Sequence, residues 1–255
     1  VTDGATDAVA FRLGLDVSGG GFSQSANRWI IRRNVNYTGT VPVFDFGTAE
    51  SFALTQRNLT VGNLGGDQIS LLTVMFMTNR GVCGLLHTEA LPSPGATRQI
   101  PTVPNAQAGD LHFVTVGAGP PEALRAAYMY FEDSADRTVN LGPVPGNVTI
   151  SQVATSSSRR FRAQYTIQPE YNRLIAVTYA QQNRSVVATL TCDYLNGTNF
   201  DYTLPELSGL AGYPAAAALT AGQPVTWSLS GFNFTGDATP GDGLLMTLFI
   251  RSGTL

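Results

Sequence analysis

Lysine is missing from this chain of 255 residues, and all 15 of its basic residues are arginine. Schiff-base chemistry, a lysine general base and a P-loop lysine are thereby excluded, as is a lysine–asparagine isopeptide cross-link. Histidine occurs only at His87 and His112, and no Gly-X-Ser-X-Gly turn is present, so a serine hydrolase lacks its parts. No apolar run approaches the roughly 18 residues of a membrane-spanning helix. The longest, at 69–77 and 244–250, are strand-sized. A net charge of −3 without any basic tract gives nucleic acid no footprint. Cysteine is limited to Cys83 and Cys192. In an oxidising compartment these form one disulfide, closing a loop of about 110 residues at roughly 4–5 kcal/mol on the chain-entropy model. Two buried free thiols are the alternative.

The most patterned segment comes first. Val9, Phe11, Leu13, Leu15 and Val17 are apolar, while Ala10, Arg12, Gly14 and Asp16 between them are small or charged. This period-two alternation predicts a β-strand over 8–17 with one buried face. Residues 18–27 have the Gly/Ser composition of a flexible tether. They exceed the roughly two to five residues of a hairpin turn. An amphipathic strand on a leash near a chain end is what strand exchange between subunits requires. The plainer reading is the first strand of the chain's own sandwich.

The rest reads as short strands separated by Gly, Pro and Asn, with no convincing helix. The pattern places them at 28–36, 41–46, 51–61, 68–78, 82–89, 111–117, 124–132, 137–141, 147–154, 159–167, 173–180, 185–193, 199–204, 224–230 and 243–251. Such spacing predicts an all-β chain of antiparallel β-sandwich lobes, immunoglobulin-like or jelly-roll-like. Residues 91–109 hold four prolines and no strand pattern, and read as a linker. The predicted organisation is an arm and tether at 1–27, a small β-lobe at 28–98 and a larger sandwich at 99–255.

Chemistry-bearing groupings are sparse. His87-Thr88-Glu89 and Asp110-Leu111-His112 each put an imidazole and a carboxylate on one strand face. Neighbouring strands would bring these to a metal, but the favoured reading is ordinary polar faces, with no metal and no cofactor. Glu132, Asp133 and Asp136, and the acidic loop 236–243, offer carboxylates of the kind calcium takes. They lack an EF-hand pattern and read as solvated turns. Arg159, Arg160 and Arg162 read as a solvated sheet face. Tyr128, Tyr130, Tyr165, Tyr171, Tyr179 and Tyr194 are candidates for a platform on which sugar rings stack. Six Asn-X-Ser/Thr sequons, at Asn36, Asn58, Asn147, Asn183, Asn196 and Asn233, exceed the roughly two or three expected by chance. They fit a secreted glycoprotein, as does a start at Val1 without methionine.

With the strand at 8–17, no lysine, one cysteine pair and a β-rich body, the chain resembles subunits of donor-strand-linked surface pili and extracellular fibrils. That resemblance implies an extracellular, glycan-bearing, non-enzymatic subunit. Copies of itself would join head to tail without covalent bonds, Val9, Phe11, Leu13, Leu15 and Val17 of one filling a groove in the next. The chain departs from chaperone–usher pilins at Arg251-Ser252-Gly253-Thr254-Leu255, which has no penultimate tyrosine. The alternative is a secreted β-sandwich module that binds carbohydrate or a cell surface.

Overall fold

The computed structural model of the chain describes residues 5–17, 21–36, 42–90, 95–154, 159–195, 197–207, 210–237 and 239–255, apart from the side chains at 154, 192, 195 and 215. The molecule is nearly all β, because apolar and polar residues alternate with period two along most segments. The strands are β1 (Thr6–Asp16), β2 (Phe22–Val35), β3 (Thr55–Gly62), β4 (Ile69–Met77), β5 (Cys83–Ala90), β6 (Thr97–Thr102), β7 (Leu111–Ala118) and β8 (Ala123–Phe131). They continue with β9 (Arg137–Asn140), β10 (Thr149–Ala154), β11 (Arg160–Thr166), β12 (Leu174–Gln181), β13 (Arg184–Thr191), β14 (Asn199–Thr203), β15 (Thr226–Phe234) and β16 (Leu245–Thr254). Two compact units divide them: residues 1–118, 127–141 and 235–245 in the first, and 119–126, 142–234 and 246–255 in the second.

In the first unit, β1-β2-β5-β4-β7-β8 form one layer and β6-β3-β9 the other, with β3 and β9 parallel. Trp29, Val74, Phe76, Val114 and Phe131 from one layer meet Leu59, Val61, Ile100 and Val139 from the other in a single core. A row of rings crosses the larger layer. Phe11 stacks on Trp29 at 5.3 Å, Trp29 meets Phe76 edge-on at 5.8 Å, Phe76 meets His112 at 5.2 Å, and His112 stacks on Phe131 at 5.0 Å. Register puts them in line, with Phe11 opposite Trp29 and Phe76 opposite both Gly84 and His112. Gly84 leaves the space Trp29 occupies: a Cβ there would stand 2.5 Å from the indole and 3.1 Å from Phe11. The second unit has layers β16-β15-β12-β13 and β10-β11-β14. Its core joins Phe161, Tyr165 and Phe200 to Val177, Tyr179, Leu229 and Phe249.

β1 is not free for donation to a neighbour. It pairs antiparallel with β2 of its own chain, from Thr6 opposite Val35 to Asp16 opposite Ser23. Val9 and Phe11 pack on their own core, while Leu13, Leu15 and Val17 are 37%, 63% and 73% exposed. A buried ion cluster explains the correction. Arg33 Nη1 donates to Asp7 Oδ2 at 2.9 Å and to Asp110 Oδ1 at 3.0 Å, and Nη2 donates to Asp110 Oδ2 at 2.5 Å. The Asn34 N–H donates to Asp7, and the N–H groups of Asn79 and Gln107 donate to Asp110. Burial pushes the Asp7 carboxyl up, but hydrogen bonds from Asn34, Arg33 and Thr78 outweigh it and hold it below its usual range. Releasing β1 would strip Arg33 of one carboxylate and uncover Trp29.

Further expectations are corrected. The chain does not divide at 98/99. Residues 97–102 of the expected linker are β6, paired with β3, and Pro101 is tolerated because β6 is an edge strand. Arm and lobe are likewise not separate, since β1 and β2 belong to the first unit. Residues 42–46, expected as strand, are loop and turn, with Asp45 Oδ1 accepting from the Gly47 N–H at 2.8 Å. The Cys83–Cys192 disulfide finds no support at Cys83, and the side chain of Cys192 lies outside the described residues. Cys83 is a free, exposed thiol at the start of β5, placed opposite Met77 rather than a second cysteine.

Asp110→Ala would leave Arg33 half-paired and the backbone N–H groups of Asn79 and Gln107 without their acceptor. It is expected to destabilise the protein by about 3–5 kcal/mol in urea unfolding; a loss under about 1 kcal/mol would show the cluster to be dispensable.

Candidate functional site: a polar groove on the first unit

Alternation along β3, β6 and β9 sends Leu59, Val61, Ile100 and Val139 inward and leaves hydroxyls and amides outward. Thr60 lies opposite both Thr97 and Thr138, and Asn58 opposite Gln99. Asn58 is locked: its N–H and Nδ2 donate to the two oxygens of Asp136 at 2.8 and 3.1 Å, and its Oδ1 accepts from Gln99 Nε2 at 2.5 Å. A hollow of about 350 Å³ runs along Asn58, Thr60, Thr97, Asp136, Arg137 and Thr138. A second, of about 330 Å³, is lined by residues including Tyr130, Asp133 and Asp242, and shares Asp136, Arg137 and Thr138 with the first.

Two acidic loops read separately in the sequence meet at this groove. Asp242 Oδ1 accepts the Glu132 N–H at 3.1 Å across 110 residues of chain. Asp133 accepts from the Ala135 N–H at 2.9 Å and pairs with Arg137. The Ala135 N–H, and after it Arg137, hold the Asp133 carboxyl low against the opposing effect of burial. The donors of Asn58 do the same for Asp136. Arg137 lies over the Phe131 ring at 5.2 Å, and its buried Nε has no hydrogen-bond partner among the described residues. Ionised carboxylates that accept, hydroxyls that do either and a guanidinium that donates together complement a ligand dense in hydroxyls.

The remaining candidates scatter. Tyr165, Tyr171 and Tyr179 are buried in the second core, and Tyr194 is exposed. Tyr128 and Tyr130 stay half-buried beside Phe113, at 6.0 and 4.6 Å, and burial pushes both hydroxyls up. The two imidazole–carboxylate tripeptides do not converge. β4 separates β5 from β7, with His87 opposite Val74 and His112 opposite Phe76. His87 Nε2 stands 3.6 Å from Glu89, which also accepts from Arg98. His112 Nε2 accepts the Val103 N–H at 3.0 Å, and Asp110 belongs to Arg33. No group of three metal-ligating side chains gathers among the described residues. In the basic cluster, Arg159 donates to Gln152, Arg160 stands 3.7 Å from Glu206 and Arg162 pairs with Asp201.

The sequons divide into three groups. Asn36, Asn147 and Asn183 are exposed, Asn183 beside Gln182 in the tight turn between β12 and β13. Asn58 and Asn233 are half-buried and committed, Asn233 Nδ2 donating to the Pro169 carbonyl at 3.0 Å. Asn196 lies outside the described residues. The groove itself was missed in the sequence because its members come from β3, β6, the 132–138 segment and the 236–243 loop. Only the out-facing Asn and Thr of 58–60 carried a local signal.

No family model matches the chain, and no curated protein matches it. A two-domain fibronectin type-III segment from chicken tenascin aligns over 99% of each chain at 10% identity with a TM-score of 0.25. A likeness of that degree assigns neither a family nor a role.

Burial pushes His112 from 6.5 down to about 4, against the raising influence of nearby backbone and carboxylate groups. The unfolded chain therefore takes up the proton first as pH falls, and the fold should lose on the order of 3 kcal/mol between about pH 6.5 and 4. Urea midpoints measured across that window should lose this slope in His112→Gln; an unchanged slope would place the titration elsewhere. When the chain is made in a glycosylating host, site mapping is expected to find glycan at Asn147 and Asn183. Asn58 and Asn233 should be bare, and full occupancy at Asn58 would contradict the locked geometry.

Proposed function

We propose that the chain is a non-catalytic, extracellular β-sandwich module that binds glycan in the groove along β3, β6 and β9. The observation that carries this reading is the run of Asn58, Thr60, Thr97, Asp136, Arg137 and Thr138 along one hollow, continuing into a cleft lined by Tyr130, Asp133 and Asp242. Sugar hydroxyls act as donor and acceptor at once. A surface that fixes carboxylates, hydroxyls and a guanidinium side by side matches them, and an aromatic wall suits the apolar face of a pyranose. Hydrolysis would need a poised acid or base, whereas the Asp133 and Asp136 carboxylates of this groove are held low and His112 is enclosed among rings.

The donor-strand fibril gives way to this reading because its donor is occupied. Four of the five apolar residues, Val9, Phe11, Leu13 and Leu15, sit in a strand already paired within its own unit, and Val17 follows its end. Covalent glycans at the exposed sequons remain compatible with an extracellular module.

A glycan array probed with the full chain is expected to return ligands. Calorimetry on the best of them should show Asp136→Ala and Tyr130→Ala weakening binding by about tenfold or more, the scale of one lost well-formed contact, with circular dichroism unchanged. An array without signal, or affinities indifferent to both substitutions, would dismiss the groove as the site.

A further inference from the structure

The outer edge of β1 complements itself. β1 is terminal in its layer, so the backbone groups on its outer side face no strand among the described residues. Around Gly14 the chain reads Phe11-Arg12-Leu13-Gly14-Leu15-Asp16-Val17. Turned end for end against a copy of itself, this segment sets Arg12 against Asp16, Leu13 against Leu15 and Phe11 against Val17, with Gly14 on the axis. The side chains that would meet are largely open: Leu13, Leu15 and Val17 are exposed, as is Phe22 at the start of β2. The Asp16 carboxylate is exposed and unpaired among the described residues. Arg12 spends its Nε on Asn27 at 2.9 Å and keeps both Nη groups free of bonds among the described residues.

We propose that β1 is the interface of a two-fold dimer, formed by antiparallel pairing with β1 of a second copy of this chain and centred on Gly14. Each copy contributes the same segment, so the contact is isologous and closes at two. Directly opposed residues in an antiparallel pair are close enough to interact. The dimer therefore gains two Arg12–Asp16 pairs on one face, and Leu13–Leu15 and Phe11–Val17 contacts on the other. Charge complementarity selects a second copy as the occupant, because a foreign strand would have to reproduce both the order of signs and their spacing. β1 stays in its own sheet throughout, which distinguishes this pairing from strand donation. The interface does not depend on the glycan reading.

Sedimentation equilibrium of the full chain over a wide concentration range is expected to follow a monomer–dimer scheme. Asp16→Arg places like charges opposite each other twice and should raise the dissociation constant about tenfold or more. The double exchange Arg12→Asp/Asp16→Arg restores both opposite pairs and should recover the association that either single change loses. Both positions are exposed, and the recovery separates loss of pairing from loss of fold. A monomer at every concentration, association indifferent to Asp16→Arg, or a double exchange that stays dissociated would overturn the proposal.

Discussion

Arg33 sits between two carboxylates that water cannot reach, and much of the first unit is arranged to keep it there. A buried charge without its partner costs several kcal/mol, so whatever supplies Asp7 and Asp110 must stay in place. Asp7 brings β1, Asp110 brings the approach to β7, and the N–H groups of Asn79 and Gln107 bring the two neighbouring loops. The row from Phe11 through Trp29, Phe76 and His112 to Phe131 then fills the layer beside this cluster. Gly84 leaves room for the indole. Charge fixes the end of the first hairpin and ring packing fixes its middle. Its outer half, past Leu13, has neither, and that half is the exposed one.

The groove follows from the same economy of strands. A short three-stranded layer buries one face and must make the other polar. In β3, β6 and β9 that face is threonine, asparagine and glutamine rather than long charged chains. Such side chains are held by one another, as Asn58 is by Asp136 and Gln99, and lose little further freedom when a ligand arrives. The layer β10-β11-β14 is built alike, with Thr149, Gln164 and Asp201 in one cross-strand row.

This alternation also bears on the sequons. Asn-X-Thr in a strand places asparagine and threonine on one face and the middle residue on the other. In Asn58-Leu59-Thr60, within β3, the middle residue packs on a core, and Val148, just ahead of β10, packs on the other. Part of the sequon excess is therefore the imprint of polar-out, apolar-in strands, and only the environment of each asparagine separates an acceptor site from a sheet residue.

Most of the strands were legible in the sequence, because period-two alternation is local and needs no partner to be seen. The all-β class, the exclusion of lysine chemistry and the polarity of the strand faces were determined there. The exceptions are instructive. Residues 97–102 looked like linker because they lie in the proline-rich stretch 91–109, and became a strand because an edge position tolerates Pro101. Residues 41–46 looked like strand, and the described part is a turn closed by Asp45. Tertiary structure alone decided that 8–16 pairs at home, that Cys83 keeps a free thiol, and that Asp136 and Asp242 line one groove. Each of these is a question of which distant segment lies alongside. The residue pattern of a strand states which face is buried, but not which strand buries it. Here a carboxylate at residue 7 and an arginine at residue 33 made that choice.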